Sequence, residues 1–199
     1  MKQLKKYYLF YKPFDAVCQF SPEEGLKTLS DYIKNIPKDV YPIGRLDADS
    51  EGLLLLTNDN LVNITLLHPS QKHNKTYYAQ VEGIPTAEMI AMLESGVEIT
   101  VNKSKYKTLP AKVEILDFEP ELPERFPPIR FRKNSPTSWI SITINEGKNR
   151  QVRKMTASVG LPTLRLVRYS IEKLNIEYMK SGDMMEISQE MFYKNLNLK

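Results

Sequence analysis

The period of the apolar positions changes several times along the chain, and each change marks an element. Tyr7 to Tyr11 is short, aromatic and stopped by Pro13, which predicts a strand running into a loop. Thr28 to Lys34 carries Leu29, Tyr32 and Ile33 at helical spacing, with Pro37 closing it. Leu53-Leu54-Leu55-Leu56 is an unbroken apolar run between Gly52 and Asn58-Asp59-Asn60; it is too short for a buried helix and predicts a central strand. Leu61 to Leu67 reads as a helix stopped before Pro69. Lys75 to Gly83 alternates as a strand, with Tyr77, Ala79 and Val81 on one face. Pro85 to Ser95 is helical with Gly96 as its C-cap. Ala111 to Leu116 and Trp139 to Ile144 are further strands; in the second, Ile140, Ile142 and Ile144 share a face. Asn149 to Gly160 is the most legible helix. Asn149 suits the N-cap, Gly160 the C′ position, and Pro162 forbids continuation. Val152, Met155, Thr156 and Val159 form its apolar side, leaving Arg150, Arg153 and Lys154 facing outward.

Strands interleaved with helices, several able to pair as neighbours, point to an α+β or mixed α/β domain. With 199 residues, 41% hydrophobic and 26% charged, the composition excludes collagen, coiled coil and wholesale disorder, and one domain of up to two lobes is expected. The single cysteine, Cys18, fits a reducing compartment and a buried small side chain. The basic N-terminus is followed by too short an apolar stretch for a signal peptide, and no run approaches the ~20 residues of a membrane span. A cytoplasmic protein is therefore expected.

Net charge is +4, but Asn145 to Arg168 alone holds Lys148, Arg150, Arg153, Lys154, Arg165 and Arg168 against Glu146, a local +5, so the rest of the chain is 4 − 5 = −1. One basic band on a nearly neutral body suggests a polyanion bound on one face. Glu119 to Pro136, with five prolines and the cations Arg125, Arg130, Arg132 and Lys133, is long for a structureless connection and reads as a rigid binding loop.

Gly44-Arg45-Leu46-Asp47-Ala48-Asp49-Ser50-Glu51-Gly52 packs three carboxylates and two glycines ahead of the apolar run. As a calcium loop it fails, because the twelfth position counted from Asp47 is Asn58 rather than a bidentate glutamate. One cysteine with His68 and His73 cannot supply a Cys/His zinc set. No Gly-x-Ser-x-Gly turn and no glycine-rich nucleotide loop is present. What remains is a carboxylate beside cations.

Tyr41-Pro42-Ile43-Gly44-Arg45-Leu46-Asp47, followed by Ser50-Glu51-Gly52 and the leucine run, resembles the catalytic motif of the pseudouridine synthases of the RsuA group. Lys12-Pro13, Lys75-Thr76-Tyr77, the stretch Glu146 to Met155, Leu164 to Arg168 and Lys180 to Asp183 match further motifs in the same order. The proline-rich loop leading into Trp139 resembles the RluE branch, which modifies a uridine of large-subunit ribosomal RNA. The resemblance implies an α+β fold with a mixed, mainly antiparallel sheet, flanking helices and a central catalytic cleft. Many members of that group carry an accessory RNA-binding module before the catalytic domain; this chain departs from them, and a single catalytic domain over 1–199, two sub-lobes around a cleft, is expected without it.

Carried over by motif, Asp47 is the catalytic carboxylate, acting as nucleophile or base, Arg153 the arginine that pairs with it, and Tyr77 the residue that stacks on the target base. Without the motif, Tyr77 reads as core, since it shares a face with Ala79 and Val81. Arg45, Lys75, Arg130, Lys148, Arg150, Lys154, Arg165 and Arg168 are the expected RNA contacts, with Arg45 shaping the catalytic loop. Asp49 and Glu51 are expected to cap the loop or face solvent. The reaction class moves the ribose from N1 to C5 of uracil with no atom gained or lost, so no cofactor and no metal are expected. The expected partner is ribosomal RNA, bound by a monomer without a membrane. The rival readings are a non-catalytic RNA-binding assembly factor and a synthase for another RNA.

Overall fold

The computed structural model describes residues 4–68, 70–129 and 135–198. Its frame is a mixed sheet built around the leucine run. The strands β1 (Tyr7–Lys12), β5 (Glu51–Thr57), β6 (Lys75–Glu82), β9 (Lys112–Leu116), β10 (Thr137–Ile144), β11 (Thr163–Ile171) and β13 (Met184–Glu186) lie in the order β13-β1-β5-β11-β6-β10-β9. The short strands β4 (Tyr41–Pro42) and β12 (Leu174–Asn175) pair with β5 and β11. Every pairing in this sheet is antiparallel except β5 with β11. The α+β fold with a mainly antiparallel sheet expected from the sequence is the one found.

The leucine run is unbroken because both faces of β5 are covered. Leu54 and Leu56 pack with Tyr8, Phe10, Leu29, Ile33 and Val40. Leu53 and Leu55 pack on the opposite side with Tyr7, Leu9, Tyr11, Ile43, Val167 and Phe192. A strand buried on two sides has no polar face to alternate with. β6 and β10 behave differently. Tyr77, Ala79 and Val81 join Ile140, Ile142 and Ile144 in a one-sided core, closed by Val152 and Met155 of α4 (Gln151–Ser158), by Val159 at its C-cap and by Leu93 of α3 (Ala87–Ser95). There the period of two survives.

The remaining helices are α1 (Leu29–Tyr32), α2 (Asn60–Leu67) and α5 (Gln189–Asn195). α1 is shorter than its apolar spacing suggests, but a reciprocal Thr28–Asp31 capping box starts it. Two small pairs lie off the main sheet. β2 (Ala16–Val17) runs parallel to β3 (Lys27–Thr28), and β7 (Glu98–Val101) forms a hairpin with β8 (Ser104–Lys107). The hairpin turns on Asn102 and Lys103, both at positive φ, the backbone of a two-residue turn that matches strand twist.

α4 begins later than the sequence suggests. Arg150, not Asn149, is the N-cap residue, and it sits in the left-handed region with no side-chain cap. The Gln151 side chain does the local work instead, accepting from the Lys148 N–H at 2.9 Å and donating to Glu146 at 2.6 Å. The parallel contact of β5 with β11 depends on Gly52, where φ is +101° and a Cβ would lie 2.4 Å from the Arg168 carbonyl oxygen. That contact brings residues of the C-terminal half beside the loop that precedes β5.

Candidate active site

The loop from Gly44 to Ser50 joins β4 to β5 and is held from below by a buried cation. Lys12 is fully buried, and its Nζ donates to the carbonyls of Pro13, Ala48 and Ser50 at 2.8, 3.2 and 2.7 Å. Burial drives its pKa down to about 8. The Cys18 thiol accepts from the Leu46 N–H at 3.2 Å and donates to the Leu46 carbonyl at 3.4 Å, so it braces the residue before Asp47. The Asp15 N–H to Ala48 carbonyl bond (2.8 Å) and the Ser50 N–H to Asp47 carbonyl bond (3.0 Å) complete the loop. Asp47 is thereby presented half-exposed on a backbone with little freedom.

Asp47 lines a cleft of about 400 Å³ whose other walls are β6, β11 and the start of α4. The charged residues around it are Arg45, Lys75, Lys148, Arg150 and Arg168 against Asp47 alone, which makes the cleft a site for an anionic ligand. Tyr77 is buried in the one-sided core and also borders the cleft. Arg45 and Lys148 are exposed at the cleft, the latter with Nζ 4.8 Å from the centre of the Tyr106 ring. Lys75 is half-buried, donates to the His73 carbonyl at 2.9 Å, and has its pKa lowered by burial and by the charge of Arg168.

The arginines depart from expectation. Arg153 does not face outward: only 11% of its side chain is exposed, and its ion pair is with Asp49 rather than Asp47. Its Nη2 donates to the Asp49 carbonyl at 2.7 Å and its Nη1 to the Thr163 carbonyl at 3.1 Å, while Nε lies 3.4 Å from the Asp49 carboxylate. Arg150 holds that carboxylate through two hydrogen bonds of 2.9 and 2.8 Å, and it is the cation near Asp47, at 3.9 Å. Burial would raise the Asp49 carboxyl, but the two arginines outweigh it and hold it below the ordinary carboxylate range. Asp49 is therefore the pivot that carries both arginines, and neither a cap nor a free surface group.

Arg165 is not an available RNA contact. It is buried and makes a bidentate pair with Glu51, 2.8 Å at each bond, and it also donates to the Pro123 carbonyl at 2.7 Å. Glu51, in turn, is buried in β5 and does not face solvent. Arg168 is only 5% exposed, with Nε donating to the Leu53 carbonyl at 2.7 Å. Lys154 is half-buried and bonds the cleft residue Asn149 at 3.4 Å, but does not itself line the cleft. Arg130, with Arg132 and Lys133, lies outside the described residues. In the part of the proline-rich loop that is described, Arg125 stacks on Phe14 at 3.8 Å. Sequence reasoning missed His73 as a cleft residue, since a lone histidine before a strand carries no pattern.

The mainly antiparallel sheet thus presents an aspartate on a braced loop, facing cations across a cleft. The chain belongs to the RNA pseudouridylate synthase family, which it matches over residues 6–158. It is 50% identical over 185 residues to the "Ribosomal large subunit pseudouridine synthase E" of Vibrio parahaemolyticus, covering 93% of this chain and 75% of that protein. It is 39% identical over 182 residues to the "Ribosomal large subunit pseudouridine synthase B" of Bacillus subtilis, covering 92% and 68%. A solved pseudouridylate synthase superposes with a TM-score of 0.77 at 26% identity, over 97% of this chain and 74% of the other. Among the described residues, no helix is long and apolar enough to cross a membrane, and no group of three or more His, Cys, Asp or Glu could hold a metal ion.

Proposed function

We propose that the chain converts a uridine of large-subunit ribosomal RNA to pseudouridine, with Asp47 as the catalytic carboxylate. The observation that carries this reading is the cleft itself, which places one half-exposed carboxylate among five cations and beside the Tyr77 ring. An RNA-binding surface alone has no use for a carboxylate among its phosphate contacts. The names of the relatives support the choice of RNA.

The target base must leave its stack to reach Asp47, at a cost of a few kcal/mol that phosphate contacts from Arg45, Lys148 and Arg150 offset. Tyr77 offers the flipped ring a flat partner. The N1–C1′ bond breaks with its electron pair passing to the ring, the uracil turns, C5 bonds C1′, C5 loses its proton and N1 gains one. Atoms balance, so no cofactor enters. In this reading the protein is a cytoplasmic monomer, and turnover persists in EDTA once the RNA fold is controlled for.

The test is release of tritium from large-subunit ribosomal RNA carrying [5-³H]uridine, run beside transfer RNA. Asp47→Asn should abolish release while RNA affinity stays within about threefold. Release by Asp47→Asn above a few per cent of the parent removes Asp47 from the role. RNA binding by the parent with no release favours the assembly-factor reading, and release from transfer RNA alone moves the substrate.

A further inference from the structure

Arg168 is a buried cation at the edge of the cleft. It borders the cleft, yet it is 95% buried, being 5% exposed, and its Nη2 has no hydrogen-bond partner among the described residues. A desolvated guanidinium N–H without an acceptor is costly and persists where a ligand completes it. Nε donates to the Leu53 carbonyl, which fixes the group while leaving Nη2 without a partner among the described residues. A surface phosphate contact needs no such burial.

The strand register locates what it faces. Arg168 on β11 stands directly opposite Tyr77 on β6, so the two side chains leave the sheet on the same face, and both line the cleft. Directly opposed residues have Cβ atoms about 4.5–5.5 Å apart. A ring lying against Tyr77 therefore turns an edge toward the guanidinium. On uracil that edge offers carbonyl acceptors, whereas cytosine has an amine donor in place of O4.

We propose that Arg168 is the uracil-recognising group of the cleft, donating N–H to O4 of the flipped base and holding the negative charge that the ring carries once N1–C1′ has broken. The inference rests on the reading of the cleft as a uridine isomerase. When that bond breaks, the electron pair spreads over N1, O2 and O4. The hydrogen bond to O4 strengthens as the charge arrives, and no proton leaves the arginine. A cytosine presents donor to donor and is refused. Lys75, which lines the same end of the cleft, adds to the positive field there. Loss of one preorganised donor to a developing anion lowers turnover by about 10²–10³.

The experiment compares the parent with Arg168→Met, Arg168→Lys and Asp47→Asn in single-turnover tritium release, with RNA affinity measured by filter retention. Arg168→Met is expected to lose about 10²–10³ in rate with affinity within about threefold, and Arg168→Lys to recover at least tenfold of that loss. Should Arg168→Met not fold, Arg168→Gln keeps a donor for Leu53 without the charge and carries the same thresholds. Arg168→Met within threefold of the parent rate, affinity falling in step with rate, or a lysine variant no better than methionine each overturns the proposal. If these occur while Asp47→Asn is inactive, only the role of Arg168 falls; if Asp47→Asn is as active as the parent, the reading of the cleft falls with it.

Discussion

Two bidentate arginine–carboxylate pairs flank the loop of Asp47, and they differ in little but burial. Arg165 and Glu51 meet at 2.8 Å with 10% and 3% of their side chains exposed, while Arg150 and Asp49 meet at 2.8 Å with 42% and 38% exposed. The same bond length conceals different roles. The buried pair exchanges with nothing, because each charge stranded without the other would sit in a low dielectric, so it ties β11 to β5. The exposed pair is weak by the same physics and can trade its carboxylate for a phosphate. Nearness in sequence to a catalytic motif therefore does not by itself free a cation to meet a phosphate; a partner that can let it go is also needed.

The sharpest way to break this comparison is to remove one carboxylate from each pair. Glu51→Ala leaves Arg165 charged and buried, and it should cost about 3–5 kcal/mol, read as a fall in the urea midpoint. A loss below about 1 kcal/mol would show that the buried pair holds the sheet no better than the exposed one.

Lys12 is a buried cation held by carbonyls instead of a carboxylate, and it should respond to pH where the two arginine pairs do not. Its folded pKa of about 8 lies below the ordinary 10.5, so between those values the unfolded chain binds more protons than the folded one and stability rises with pH. The protonated amine has three N–H donors for three carbonyls and the neutral amine has two, which limits the gain. Lys12→Met should lose about 1–3 kcal/mol at pH 7.5, and that deficit should widen by pH 9.5 as the parent alone gains. Urea midpoints for both proteins at the two pH values check this; parallel pH profiles would refute it.

Asp49→Asn should change stability by no more than about 1 kcal/mol. Its mark is elsewhere. With Arg150 released toward solvent, the slope of log affinity for RNA against log salt should steepen by about 0.7–0.9, one further phosphate contact. An unchanged slope would mean that Arg150 never leaves Asp49 for RNA.

Much of this was legible in the chain. The leucine run, the alternation around Tyr77 and the crowding of carboxylates before Gly52 each reflect local rules that tertiary structure leaves intact. β11 escaped because Arg165 and Arg168 interrupt its apolar pattern, and the partners that allow them to be buried, Glu51 and the Leu53 carbonyl, lie 114 and 115 residues away. No local window contains that information. The start of α4 was misplaced because Asn149 is a good N-cap type, while Gln151 and Glu146 impose a left-handed arginine one residue later. Arg153 was assigned to the wrong aspartate because Asp47 and Asp49 are two residues apart, and the loop backbone decides between them.

The parallel contact at Gly52 also sets an order of events in time. β5 is complete near residue 57, but its neighbour β11 spans Thr163–Ile171, so one wall of the cleft is synthesised roughly 6–20 s before the other at ~5–20 residues per second. During that interval Glu51 lacks Arg165, Asp49 lacks Arg150 and Arg153, and the edge of the leucine strand is open. A nascent chain stalled before residue 150 should therefore be more easily cleaved by protease in the Asp47 loop than the finished protein. The contacts that order the loop exist only once translation has passed α4 and β11, so the cleft is expected to form late in synthesis.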